Sequence, residues 1–208
     1  MARVESAPAR AGAGKRMTYE EFLDWCDEDT WAEWVDGEVI VLSPATVRHQ
    51  DLVGLLFVLL SFFVERHTLG KVLCAPFQMR LVRQRSGREP DIIFVARQHL
   101  DRLLPGRLEG PADLAIEVVS PESTERDYRV KVREYEAAGI REYWLIDPYA
   151  VEAIFYRLGA DGKYAEVALE ENGAYRSAVL PGFWLRVDWL WQDPLPEKRA
   201  ALQELGLL

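Results

Sequence analysis

Two carboxylates set against apolar strands, and one lysine on the segment that follows them, are the side chains with chemistry to offer. Glu117 stands in the middle of Leu114-Ala-Ile-Glu-Val-Val119, bounded by Gly110-Pro111 before it and Ser120-Pro121 after it. Apolar, branched and punctuated in this way, the run reads as a buried strand. A carboxylate inside one is costly unless a cation, a proton or hydrogen bonds compensate it. Asp91 opens a second such run, Ile92-Ile-Phe-Val95, directly after Glu89-Pro90. Two unpaired carboxylates about 4 Å apart repel by roughly 4 kcal/mol at an effective dielectric near 20. A divalent cation between them reverses the sign, and a few oxygen ligands completed by water and phosphate suit Mg²⁺ or Mn²⁺. Such an ion polarises a phosphodiester and lowers the pKa of a bound water, which is what hydrolysis needs.

Asp113 shares a face with Glu117 but sits four residues earlier, about 13 Å along the strand, too far for one ion. Asp91 is the better partner. The third candidate is Lys131. On a helix over 123–138, Tyr128, Val132 and Tyr135 form the buried stripe, and Lys131 falls roughly 60° from its middle. It reaches inward, while Arg126, Arg129 and Arg133 point nearly the opposite way, to solvent. An ammonium there could position a nucleophile or stabilise charge on phosphate.

Plainer readings stand beside these. Glu117 could pair with an arginine such as Arg141 or rest on backbone donors, and Lys131 could pair with Asp127 at i,i+4 for a few tenths of a kcal/mol. His49, on the apolar face of a helix, is more often a core histidine than a ligand. Glu33 divides evenly between a solvated hairpin acid and an accessory ligand. Cys26 and Cys74 read as small core residues.

The elements that must hold these groups follow from the pattern. Thr18-Tyr-Glu-Glu21 has capping-box form and starts a short helix to about Asp27. Trp31–Val35 and Glu38–Leu42, joined by Asp36-Gly37, form a hairpin with a type I′ turn. A helix buried on most sides runs from Thr46 to about Arg66. Lys71–Val82 is a strand interrupted at Pro76, residues 83–88 a basic turn, and 97–110 a loop or short helix. The 123–138 helix stops at Gly139, and Glu142–Ile146 is a third core strand ending at Asp147-Pro148. Strand, helix, strand over 113–146 makes a parallel crossover unit. The hairpins imply an antiparallel remainder. The class is α/β with a mixed sheet.

The chain of 208 residues has room for one domain with a sizeable core. Its formal net charge of -9 excludes a protein that coats nucleic acid through its overall field, though not one with a local basic cleft. Residues 1–16 read as a disordered leader without a signal peptide's apolar core, 17–192 as the domain, and 193–208 as a tail or short helix. The longest apolar run, Leu52–Val64, is short of the roughly 20 residues that span a bilayer, so no membrane segment is expected. Two cysteines without motif spacing make a reducing cytoplasm the default.

Glu89-Pro90-Asp91 followed by Glu117-Val118-Val119 resembles the signature of the PD-(D/E)XK restriction-endonuclease-like superfamily. Within it the chain is most similar to the Uma-two family, small bacterial proteins classed as endonucleases and formerly a domain of unknown function. The resemblance is carried by Trp34-Val-Asp-Gly-Glu-Val-Ile40, Ser43-Pro44 with His49, and Asp113-Leu-Ala-Ile-Glu-Val-Val-Ser-Pro121. Asp127, Lys131, Tyr135 and Gly139-Ile-Arg-Glu-Tyr-Trp-Leu-Ile-Asp-Pro148 complete it, over about residues 18–190. It implies a restriction-endonuclease-like mixed sheet flanked by helices, with DNA as substrate and a homodimer as the working unit. It also implies Asp91 and Glu117 as ligands of Mg²⁺ or Mn²⁺, and Glu33 and His49 as accessory contacts. Val119 occupies the motif's lysine position, and the resemblance maps that lysine onto Lys131, where it would assist the attacking water. Val119 also leaves open a weak or inactive nuclease-fold module that binds nucleic acid or a protein partner.

Overall fold

The computed structural model describes residues 16–27 and 30–208. The leader expected over 1–16 lies, but for Arg16, outside the described residues. Helix α1 (Tyr19–Trp25) carries the expected capping box, Thr18 and Glu21 each accepting the other's backbone N–H. Strands β1 (Ala32–Val35) and β2 (Glu38–Val41) form the hairpin. Asp36 (φ 48°) and Gly37 (φ 93°) take the two left-handed positions that a type I′ turn requires. Helix α2 (Val47–Arg66) follows its Thr46 cap.

Six strands come next: β3 (Gly70–Cys74), β4 (Gln78–Leu81), β5 (Ser86–Arg88), β6 (Ile92–Ala96), β7 (Leu103–Leu104) and β8 (Arg107–Glu109), with a 3₁₀ turn at Arg97–Arg102. Strand β9 (Leu114–Val118) leads to a π-helical turn, Arg126–Lys131, that runs into α3 (Val132–Ala138). The chain closes with β10 (Glu142–Asp147), β11 (Glu152–Leu158), β12 (Tyr164–Glu166), β13 (Ala174–Arg176), β14 (Trp184–Arg186) and α4 (Lys198–Glu204).

Two mixed sheets carry the α/β architecture. The central one has the order β12-β11-β10-β9-β6-β3, and β9 and β10 run parallel across α3. The second has the order β2-β1-β5-β4-β8-β7. Its β4–β8 pair is also parallel, so the remainder is not purely antiparallel.

The central sheet is buried on both faces, and residue parity decides which neighbour each side chain meets. Even-numbered Ile92, Phe94, Leu114, Ile116, Val118, Trp144 and Ile146 pack against α2 and the C-terminal residues. Odd-numbered Ile93, Val95, Ala115, Val119, Tyr143 and Leu145 pack against Tyr135 of α3 and against Met79, Leu81 and Leu108 of the second sheet. Asp91 and Glu117 are odd. Helix α2 is long and apolar enough by composition to cross a membrane. It lays Leu52, Leu55, Leu56, Leu59, Leu60 and Phe63 into the core instead.

Three sequence readings are corrected. Lys71–Val82 is not one interrupted strand, because the chain passes from the central sheet to the second one at Pro76. The turn after β4 is short, and Ser86–Arg88 form an interior strand of the second sheet, since Arg88 finds carboxylate partners inside the fold. Cys74 is exposed and so is no core residue, while Cys26 is half-buried at the edge of the cluster of Tyr19, Phe22 and Trp34.

Truncating Leu59, fully buried on α2, is expected to cost about 2–5 kcal/mol through lost burial and an unfilled cavity. Phe62→Ala, 43% exposed on the same helix, should cost much less in the same urea titration.

Candidate active site

The register of β6 against β9 pairs Ile92 with Ile116 and Ile93 with Ala115. One step further, Asp91 lies across from Glu117, where directly opposed residues have Cα atoms about 4.5–5.5 Å apart and share a face. Both acids line one cleft of about 180 Å³ together with Glu33, His49, Glu89, Asp127, Arg126 and Lys131. The sequence candidates Asp91, Glu117, Lys131, Glu33 and His49 therefore converge.

Lys131 is the hub. Its Nζ lies 2.8 Å from Glu117 Oε1, 3.2 Å from Glu33 Oε1 and 3.2 Å from Asp127 Oδ1. Burial alone would lower its pKa, but Asp127, Glu117 and Glu33 outweigh burial and push it up, so the amine stays charged. The plain i,i+4 pair with Asp127 and the inward reach to Glu117 thus coexist. Glu117 pairs with this lysine rather than with Arg141, which is exposed. Tyr135 Oη also donates to Glu117 Oε1, at 2.7 Å. Burial nonetheless raises the Glu117 carboxyl. Lys131 opposes that rise, and Asp127, Asp91 and Glu33 add to it.

The π-helical turn accounts for one misplaced residue. Its wider i→i+5 turns shift the phase of the helix, a distortion common at functional sites. Arg126, expected to face solvent with Arg129 and Arg133, is rotated into the cleft wall, while the other two remain exposed.

Asp91 Oδ2 accepts the Val118 N–H at 2.7 Å and lies 3.2 Å from His49 Nε2. His49 sits at the cleft and not in the apolar core. Its Nδ1 is buried with no hydrogen bond among the described residues. Burial lowers its pKa, but the hydrogen bond to Asp91 and the charge of that carboxylate, helped by Val118 and Asp127, together outweigh it for a net rise.

Glu33 is no solvated hairpin acid, being fully buried. Arg88, itself 1% exposed, donates to Glu33 Oε2 at 2.9 Å and reaches Glu134 on its other side. Ser86 Oγ also donates to Glu134. Burial would raise the Glu33 carboxyl, yet Lys131, then Arg88 and Arg126, hold it down at about 2.

Glu89 is the opposite case. Burial lifts its carboxyl to about 7. The hydrogen bond from Gln78 counters that lift, and Glu33 adds to it. Its Oε2 makes no hydrogen bond among the described residues. Sequence reading passed over Glu89, Arg88 and Tyr135 as participants and weighed Asp127 only as an i,i+4 partner of Lys131. The i,i+4,i+8 spacing of Asp127, Lys131 and Tyr135 was the available signal.

Among the described residues five buried carboxyl groups, Glu33, Glu89, Asp91, Glu117 and Asp127, line the cleft against two fixed cations, Lys131 and Arg126. Among the described residues no three His, Cys, Asp or Glu side chains form a ready-made metal cage. An all-oxygen set offering one or two carboxylates, with water and phosphate to complete the shell, fits Mg²⁺ or Mn²⁺ rather than a structural zinc. Neither Glu117 Oε2 nor Asp91 Oδ1 has a hydrogen bond among the described residues.

Residues 19–188 match the family model Uma2, described as putative restriction endonuclease. A crystal structure described as a putative nuclease belonging to DUF820, from Anabaena variabilis ATCC 29413, superposes with a TM-score of 0.71. It is 17% identical, and the match covers 84% of this chain and 97% of that one, a likeness of fold. No curated protein matches.

Replacing Glu89 by Gln keeps the acceptor for Gln78 and removes the titrating proton. A carboxyl raised from 4.5 to about 7 on folding gives stability that is whole below pH 4.5 and is lost as pH rises through 7. Glu89→Gln should therefore gain relative to the parent between pH 5 and 8, by an amount on the order of 3 kcal/mol, with little difference at pH 4. Urea unfolding at the two ends of that range measures it.

Proposed function

The chain belongs to the Uma2 family of putative restriction endonucleases, and from that premise we propose that it is a metal-dependent nuclease that hydrolyses DNA phosphodiesters. One observation carries the reading: Asp91 and Glu117 lie side by side on one face of the sheet, at a cleft into which Lys131 projects. The neighbouring fold of a protein described as a putative nuclease supports it.

Asp91 and Glu117 would hold the ion, Mg²⁺ or Mn²⁺, which when bound polarises the phosphate and eases deprotonation of the attacking water. The remaining work belongs to the chain. The Val118 N–H and His49 fix the Asp91 carboxylate, and Tyr135 fixes that of Glu117. Lys131 is held protonated by three carboxylates, so its role is that of a cation. It orients the nucleophile and balances charge growing on the phosphate, without serving as the base. Arg88 keeps Glu33 ionised, and Glu33 in turn keeps the ammonium aimed along the cleft wall. The reading extends to a homodimer, because one such cleft cuts one strand and a duplex has two.

The three ion pairs of Lys131 also suit a non-catalytic module whose lysine only closes the cleft. Activity separates the two. With Mn²⁺, the purified protein is expected to nick plasmid DNA. Glu117→Ala should reduce the rate at least about 100-fold, and Lys131→Met by about 10²–10³, as for loss of a transition-state charge partner. No cutting of any DNA form, or undiminished cutting by Glu117→Ala, contradicts the nuclease reading.

A further inference from the structure

Among the described residues Arg126 is the one guanidinium on the cleft wall, and it is poorly used there. Its Nε is 3.8 Å from Glu33 Oε2, beyond hydrogen-bond range, and is buried with no hydrogen bond among the described residues. The oxygens of Glu33 are already taken by Arg88 and Lys131. Three and seven residues on, Arg129 and Arg133 are exposed and pair with no carboxylate among the described residues. Arg129 and Arg133 share one hollow, while Arg126, one turn earlier on the same helix, faces the cleft, the three spanning about 10 Å of helix axis.

Arg129 and Arg133 line a surface hollow with Gln84. Of the carboxylates lining that hollow, Glu134 is committed to Arg88 and Ser86, which leaves Glu125. In a chain of net charge -9 this is a local reversal of sign. The cleft's own volume, about 180 Å³, is below the roughly 300 Å³ at which small-molecule pockets begin and equals the share of about six waters. A cleft of that size favours a phosphate group and an ion over a whole nucleoside.

We propose that the arginine flank of residues 126–133 binds the DNA phosphate backbone and leads it into the cleft, Arg126 making the innermost phosphate contact and the bases staying outside. The choice of DNA rests on the nuclease reading above; the phosphate-binding flank rests on its own geometry. Contacts of this kind fix register on the duplex and carry no base information. Binding should accordingly be strongly salt-dependent and indifferent to sequence.

The test is fluorescence anisotropy with a labelled duplex of about 20 base pairs, in EDTA, from 50 to 200 mM KCl. Arg129→Ala combined with Arg133→Ala removes exposed side chains only, so the fold is kept. The slope of log affinity against log salt should become shallower by about 2, near 0.9 for each phosphate no longer neutralised, with at least about tenfold weaker binding at 50 mM. Lys198→Ala combined with Arg199→Ala removes equal charge from α4, beyond the other face of the central sheet, and should leave the slope in place. An unchanged slope in the first double variant, an equal change in both, or no duplex binding by the parent protein overturns the proposal. Because EDTA silences metal chemistry, absence of cleavage leaves this result standing, and cleavage without a slope change removes the flank alone.

Discussion

A buried ammonium surrounded by carboxylates is the interaction on which the rest of this molecule depends. Lys131 touches Glu117, Glu33 and Asp127, and all four side chains are nearly out of solvent. Removing one partner from such a cluster leaves an uncompensated charge in a low dielectric, which costs several kcal/mol. The surrounding structure supplies what the cluster needs. Strand β9 carries Glu117, the π turn carries Lys131, and β1 brings Glu33 from the second sheet. Arg88, on an interior strand of that sheet, ties Glu33 to Glu134 of α3. The two sheets and the helix are thus bound together by charge as well as by the apolar contacts of Tyr135, Met79 and Leu145.

The contrast with Glu142 shows what separates an acid used for structure from one left available. Glu142 is fully buried on β10, yet Trp144, Ser177, Ala178 and Val179 all donate hydrogen bonds to it. Glu117, also buried but on the opposite face of the sheet, receives among the described residues only Tyr135 and Lys131, on one oxygen, while Asp127 and Asp91 crowd it with negative charge. A carboxyl in that position gains from a further cation. Val119, 1% exposed among apolar neighbours, completes the logic. The core fills the strand position two residues on, so the lysine charge arrives from the helix.

Much of this could be read from residue order. The strand rise between Asp113 and Glu117 was enough to prefer Asp91 as the partner, and helical spacing was enough to turn Lys131 inward. The crossover unit and the type I′ hairpin followed from local chemistry. What could not be read depended on partners distant in sequence. Arg88 looks like part of a basic turn until Glu33 and Glu134 are seen to bury it. Arg126 looks solvent-facing on an ideal helix, and only the π turn brings it to the cleft. The division of β3 and β4 between two sheets rests on long-range pairing that a run of strand-like residues does not encode.

Whether the Asp91–Glu117 pair is a cation site awaiting its ion is tested most directly by calorimetry. Mn²⁺ is titrated into the purified protein and into Glu117→Ala. Saturable binding by the parent chain, lost in the variant, is the expected result. Absence of Mn²⁺ binding in the parent, or binding that survives the substitution intact, would contradict it.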